Sequence, residues 1–189
     1  MMRNGRTWTS LINYTLFQAG WFICILGTAA GHPWPATAAG LLLVVVHLAL
    51  VRDRTREGLL LLGSLLLGLL VDAIHIGTGV LVFSSGSLHA ALPPPWILIL
   101  WLQFAMTLHY SLAWLNGRFF LGPVLGAVSG ALAYWAGVRF GAAVFGAELT
   151  RSLVQIGFSW SIVILILLKL SLLTAPENGT ATYRCFQAQ

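Results

Sequence analysis

Long apolar runs alternate with short polar interruptions along the whole chain. Six runs reach the length of roughly 20 residues that a helix needs to cross the hydrocarbon core of a bilayer. They cover about 8–29, 35–52, 58–80, 95–115, 119–138 and 151–173. Each interruption has a physical cause. "GHPWP" at 31–35 contains two prolines and a glycine and predicts a tight turn. "RDRTRE" at 52–57 is too charged to enter lipid. "SSGSLHAALPPP" at 84–95 is polar and ends on prolines, where a new helix can start. "NGR" at 116–118 and "GAELTR" at 146–151 make the remaining breaks. The pattern predicts an all-α, polytopic membrane helix bundle with six transmembrane helices in one domain, residues 1–173. A polar, disordered tail is expected over 174–189.

Composition agrees with this class. Of 189 residues, 58% are hydrophobic and 8% charged, too few charges for the surface of a soluble domain. The net charge of +5 raises the question of nucleic acid, but the cations are scattered between apolar runs and form no basic face. They are better read as topology signals, with the lipid bilayer as the partner. With the N-terminus inside, Arg3, Arg6, Arg52, Arg54, Arg56, Arg118, Lys169 and Arg184 lie on the inner side, and Arg139 and Arg151 on the outer. Both termini are therefore expected in the cytoplasm. A rival reading makes the first run a cleaved signal peptide ending near "GTAAG" at 27–31, but Asn13 and Gln18 interrupt its apolar region. Cys24 and Cys185 suggest neither a disulfide nor a metal site. The sequon "NGT" at 178–180 falls on the inner side and carries no meaning there.

Topology converts sequence position into depth. At 1.5 Å per helical residue, Asp72 lies about 22 Å above the inner end of its span, and Tyr134 reaches the same height. Gln103 and Gln155 lie roughly 12 Å and 6 Å below the outer surface. An outer polar layer of Asp72, Gln103, Tyr134 and Gln155 results, with His75 and Arg139 just above it. Asn13, His47 and His109 form an inner group, His47 as a snorkelling side chain, and Gln18 lies between the two. Asp72 and His75 share one helical face. An ionised Asp facing lipid would cost several kcal/mol, so Asp72 is expected to turn inward, towards His75, Gln103, Tyr134 or Arg139. Two readings compete: interhelical hydrogen-bond glue, favoured for the amides, and a pocket or proton path, favoured for Asp72.

In "FFLGPVLGAVSGALAYWAGVRFG", Gly122, Gly126 and Gly130 recur every fourth residue. They predict a flat stripe for close helix packing, against a neighbour in the chain, a protein partner or another copy in a homo-oligomer. Trp21, Trp34, Trp96, Trp114 and Trp135 suit interfacial positions, and Trp101 and Trp160 suit internal packing.

"PPWILILWLQFAMTLHYSLAWL" at 94–115 resembles the signature of a bacterial inner-membrane family, domain of unknown function 2878. "NYTLFQAGWF" at 13–22, "GLLVDAIHIGTGVLVF" at 68–83 and "GALAYWAG" at 130–137 extend the likeness. Where the family pattern favours Asn-His, this chain has His109 and Tyr110. The resemblance implies a multi-pass inner-membrane protein whose site, if it has one, is formed by Asn13, Gln18, Asp72, Gln103 and Ser111 around a shared cavity.

No phosphate-binding loop, metalloprotease motif or nucleophile elbow is present, so no cofactor and no metal are expected. A non-catalytic accessory protein of membrane-lipid or envelope homeostasis stands first. A small proton-linked transporter or permease using Asp72 stands second. An intramembrane enzyme acting on a lipid, with Asp72 and His75 or His109 as acid and base, stands third.

Overall fold

The computed structural model describes residues 2–83, 85–175 and 183. Six α-helices follow in chain order: α1 (Met2–Ala29), α2 (Pro33–Leu50), α3 (Arg54–Gly77), α4 (Pro95–Leu108), α5 (Leu121–Phe140) and α6 (Leu149–Leu173). A 3₁₀ turn (Ala113–Leu115) lies between α4 and α5. Five segments are long and apolar enough to cross a membrane: Thr7–Ala29, Pro33–Leu50, Arg54–Gly77, Leu121–Phe140 and Leu149–Leu173. The fourth predicted span is shorter. α4 has 14 residues and a length of about 21 Å. Helical bonding stops at Leu108 because the next residues are taken up elsewhere. Tyr110 and Leu112 both donate their backbone N–H to the Thr107 carbonyl, and Ser111 donates to Asn13.

Local chemistry sets the other boundaries. Prolines occupy the first turn of α2 and of α4, where no donor is lost. Asp53 caps α3 by accepting from the Arg56 backbone N–H at 3.0 Å. That cap draws part of the charged "RDRTRE" break into the helix and carries Glu57 inside with it. Gly141 ends α5 at φ +94°, a left-handed conformation that glycine adopts without strain. At the far end, Leu81–Val82 (β1) pairs antiparallel with Val144–Phe145 (β2), tying the α3–α4 connection to the α5–α6 connection. A two-residue ribbon leaves no periodicity to read, and the sequence did not suggest it.

An apolar core is surrounded by outer faces that are themselves apolar, unlike those of a soluble protein. On α3, Leu59, Leu62, Leu66, Leu70 and Ile74 are all at least half exposed. The opposite face buries Glu57, Ser64, Asp72 and His75. α4 is the central element, packed on α1, α2 and α3, with nine of its fourteen residues buried. Trp96, expected at an interface, is among them and donates its indole N–H to the Ser85 carbonyl at 3.3 Å. The tail positions 176–182 and 184–189, with Cys185 and the sequon, lie outside the described residues. Tyr183 and Thr174, assigned by sequence to a disordered tail, are both buried.

The glycines at 122, 126 and 130 face α6. They sit against Leu168, Ile164 and the Trp160 ring respectively. A Cβ at Gly126 would lie 2.7 Å from the Trp160 carbonyl oxygen, which cannot move without breaking α6. Gly126→Val should therefore push α5 off α6 at a cost of about 1–3 kcal/mol. Gly58→Ala, where a Cβ meets nothing within 4 Å, should be neutral or stabilising. Equal unfolding temperatures for the two variants in detergent would contradict this packing.

Candidate functional site

Glu57 and Asp72 lie on the inward half of α3, fifteen residues or about 22 Å apart, and each gathers its own set of donors. At the Glu57 end, Oε1 meets His47 Nε2 at 2.8 Å, and Oε2 meets His109 Nδ1 at 2.8 Å. The second nitrogen of each ring is also engaged. His109 Nε2 donates to the Ser171 carbonyl at 2.9 Å. His47 Nδ1 lies 3.0 Å from the Tyr183 hydroxyl. The amide of Asn13 donates to that hydroxyl at 3.3 Å and to the Met106 carbonyl at 2.9 Å. The Asn13 carbonyl accepts from the Ser111 hydroxyl at 2.7 Å. Glu57 is 3% exposed, and His47, Asn13 and Tyr183 are 0% exposed.

The directions of these bonds constrain the protons. His109 must carry hydrogen on Nε2, because a carbonyl can only accept. The proton between its Nδ1 and Glu57 Oε2 is then shared, and whichever atom holds it the pair has no net charge. The Tyr183 hydroxyl accepts from Asn13 and can donate to His47 Nδ1, leaving His47 Nε2–H for Glu57 Oε1. This chain of bonds joins α1, α2, α3, α4, α6 and Tyr183 and leaves no polar atom of Glu57 or of the two rings unpaired. The network is closed on itself, and its members are buried.

The second site is built around Asp72, which is 0% exposed. Its Oδ2 accepts from Trp101 Nε1 at 2.8 Å and its Oδ1 from the Tyr134 hydroxyl at 2.5 Å. Trp101 stacks on Trp160 with centroids 4.9 Å apart. His75 lies beside this pair, with Nδ1 3.6 Å from Oδ1 and no hydrogen bond on that atom. Its Nε2 lies 3.1 Å from Ser159 Oγ, whose own proton goes to the Gln155 carbonyl. His75 Nε2 is therefore the donor. Neutral His75 then turns the Nδ1 lone pair towards Asp72, and only the protonated ring would make an ion pair.

The five residues that the resemblance gathers around one cavity, Asn13, Gln18, Asp72, Gln103 and Ser111, are divided among several places, while the other polar residues keep to separate inner and outer groups. Asn13, Ser111 and His109 join Glu57, and Tyr134 and His75 join Asp72. Gln103 donates to the Gly40 carbonyl at 3.0 Å on the α1–α2 side. Gln155 bonds Thr78 at the ribbon end. Arg139, expected near Asp72, is exposed and lies over the Trp135 ring. Gln18 lines a lateral cleft. Sequence reasoning missed Glu57, Tyr183 and the polar role of Trp101. A signal for Glu57 existed, because it precedes His75 by eighteen residues, five full helical turns, and so shares its face. Trp101 and Tyr183 carried no comparable signal. Among the described residues no group of His, Cys, Asp and Glu is arranged to hold a metal ion.

The cleft is a separate feature. α1 and α5 hardly touch, and between them lies a space of about 540 Å³. Its walls include Gln18 and Trp21 of α1, Ser129 and Ala133 of α5, and Phe104 and Trp160 behind them. Trp21 and Ala133 also border a smaller space of about 50 Å³ that reaches Tyr134 and Gly137. Glu57 and Asp72 line neither space.

Glu57→Gln removes one partner of a buried ionisable pair and should cost about 3–5 kcal/mol of stability. Tyr183→Phe, which loses only hydroxyl bonds, should cost about 1 kcal/mol. Denaturation of both variants in the same detergent checks the order, and a Tyr183→Phe loss as large as that of Glu57→Gln would contradict the assignment of Glu57 as the hub.

The model of the family described as "Protein of unknown function (DUF2878)" matches residues 10–166. No curated protein and no solved structure matches the chain. The matched region takes in α2 to α5 whole, with Asn13, Glu57, Asp72, Trp101, His109 and Tyr134, and stops before Ser171 and Tyr183. Because that match spans most of the sequence, the chain belongs to the DUF2878 family.

Proposed function

We propose that this protein is a non-catalytic accessory component of the membrane that takes a hydrocarbon chain of a lipid into the cleft between α1 and α5. The observation that carries the reading is the cleft itself. Its volume of about 540 Å³ lies within the roughly 300–1,000 Å³ of small-molecule sites. In a bilayer, whatever meets a sideways opening between two helices is hydrocarbon. A cleft left without it forfeits dispersion contacts on every wall.

The rival roles find less support. A proton path would need polar groups between the two carboxylates, but the buried face of α3 there carries Leu60, Leu61, Ser64 and Gly68. The Ser64 hydroxyl is committed to the Trp101 carbonyl at 3.0 Å. Catalysis on a lipid would need an acid or base facing the bound chain, and among the described residues no carboxylate or imidazole lines the cleft. We place the Glu57 end in the cytoplasm, since Arg52, Arg54, Arg56 and Arg118 gather there, and the bilayer as a bacterial inner membrane.

A photoactivatable phospholipid with a diazirine in its acyl chain, incorporated with the protein into nanodiscs, tests the reading. Ser129→Trp fills the cleft and should lower crosslinking to α1 and α5 about tenfold, a loss of about 1.4 kcal/mol in chain binding. Leu70→Phe, on the outer face of α3, should leave it unchanged. Undiminished crosslinking in a folded Ser129→Trp protein would dismiss the lipid-chain reading.

A further inference from the structure

We infer that the lipid taken by this cleft is an anionic phospholipid, its phosphate held by Arg118 at the Glu57-end mouth; this rests on the lipid-chain reading. Trp114 lines the cleft at that end and is 47% exposed. The Arg118 guanidinium lies over its ring, 5.4 Å from the centroid. Arg118 is exposed, and among the described residues no carboxylate pairs with it. Neighbouring arginines are engaged: Arg56 pairs with Asp53 at 3.2 Å, and Arg54 donates to the Leu48 carbonyl. A planar guanidinium suits a phosphate, which it can bind through two parallel hydrogen bonds, and stacking on an indole orients it for that.

Length and depth fit the same ligand. From Leu125, at the Arg118 end, to Gly137, beside Tyr134, the α5 wall of the two spaces runs twelve residues, or about 18 Å. One leaflet of a hydrocarbon core roughly 30 Å thick is slightly shorter than this. A chain entering beside Arg118 would therefore lie along α5 at nearly full extension. Phe119 and Phe120, 48% and 95% exposed, follow Arg118 directly. Exposed aromatics next to a cation belong at the headgroup level of a membrane. The charge at the mouth also matches the anionic lipids of a cytoplasmic leaflet.

The experiment uses the purified full chain and native mass spectrometry, with phosphatidylglycerol and phosphatidylcholine of identical acyl chains. Wild type should prefer phosphatidylglycerol by about tenfold. Arg118→Gln should abolish that preference while leaving phosphatidylcholine binding intact, and Arg118→Lys should restore part of it. Ser129→Trp should weaken both lipids alike. If Arg118→Gln keeps the preference while Ser129→Trp loses both lipids, the headgroup site is wrong and the cleft reading stands. If Ser129→Trp binds both lipids as wild type does, the cleft reading fails and the headgroup site fails with it. Oleate displacing phosphatidylglycerol at equal concentration would overturn the phosphate assignment.

Discussion

A carboxylate moved from water into a low-dielectric interior loses several kcal/mol of solvation, and only close partners and saturated hydrogen bonds return it. Glu57 imposes that condition on the bundle. Its two oxygens are met by imidazoles from the end of α2 and the end of α4, and the far side of the second imidazole reaches the backbone of α6. The first imidazole reaches Tyr183, and through it Asn13 of α1. Five of the six helices are therefore positioned at this end by one side chain. If any of them shifted by a few ångströms, a buried polar group would be left unpaired, so one helix arrangement is strongly preferred.

The same condition explains the shortness of α4. A longer helix would carry His109, Tyr110 and Ser111 around its axis and away from Glu57 and Asn13. By stopping at Leu108, the backbone lets His109 reach Glu57 and lets Ser111 offer both its N–H and its hydroxyl to Asn13. α4 contributes its hydrophobicity to the middle of the bundle instead of to the lipid. The charge run before α3 is reconciled with the bilayer in the same way. Asp53 holds the helix start and pairs with Arg56 at the surface, while Glu57, one residue on, has already turned inward.

Hydropathy made the helices legible because their outer faces must match lipid, and it located all six to within a few residues except at the start of α1 and the end of α4. The inward turn of Asp72 was also legible, since the energetic cost of the alternative does not depend on knowing its partners. Its partners were less so: Tyr134 was anticipated from depth, but Trp101 was read as packing because an indole signals area before it signals a donor. Glu57 was hidden because it stands in a cluster of charges, which reads as an interruption between spans. His47 looked like a snorkelling side chain for the same reason. Tyr183 lies ten residues past the end of α6 in a polar stretch, and no local pattern marks a side chain whose place is fixed by His47 and Asn13. The glycine stripe announced close packing, and only coordinates could supply α6 as the neighbour.

α5 stands apart in how it is held. Glycines at 122, 126 and 130 draw it onto α6, and close approach on that side opens distance on the other, towards α1. Among the described residues, one side-chain hydrogen bond links α5 to another helix, from Tyr134 to Asp72. Tyr134 lies edge-on to Trp160, which forms the back of the cleft and stacks on the second Asp72 donor, Trp101. The width of the cleft is thus fixed by two opposed features, backbone contact with α6 and a tether to a buried carboxylate. Asp72 has no contact with the cleft, yet it sets the position of the wall that a bound chain would lie against. In this arrangement the buried carboxyl holds the apolar wall of α5 at a fixed separation from the rest of the bundle.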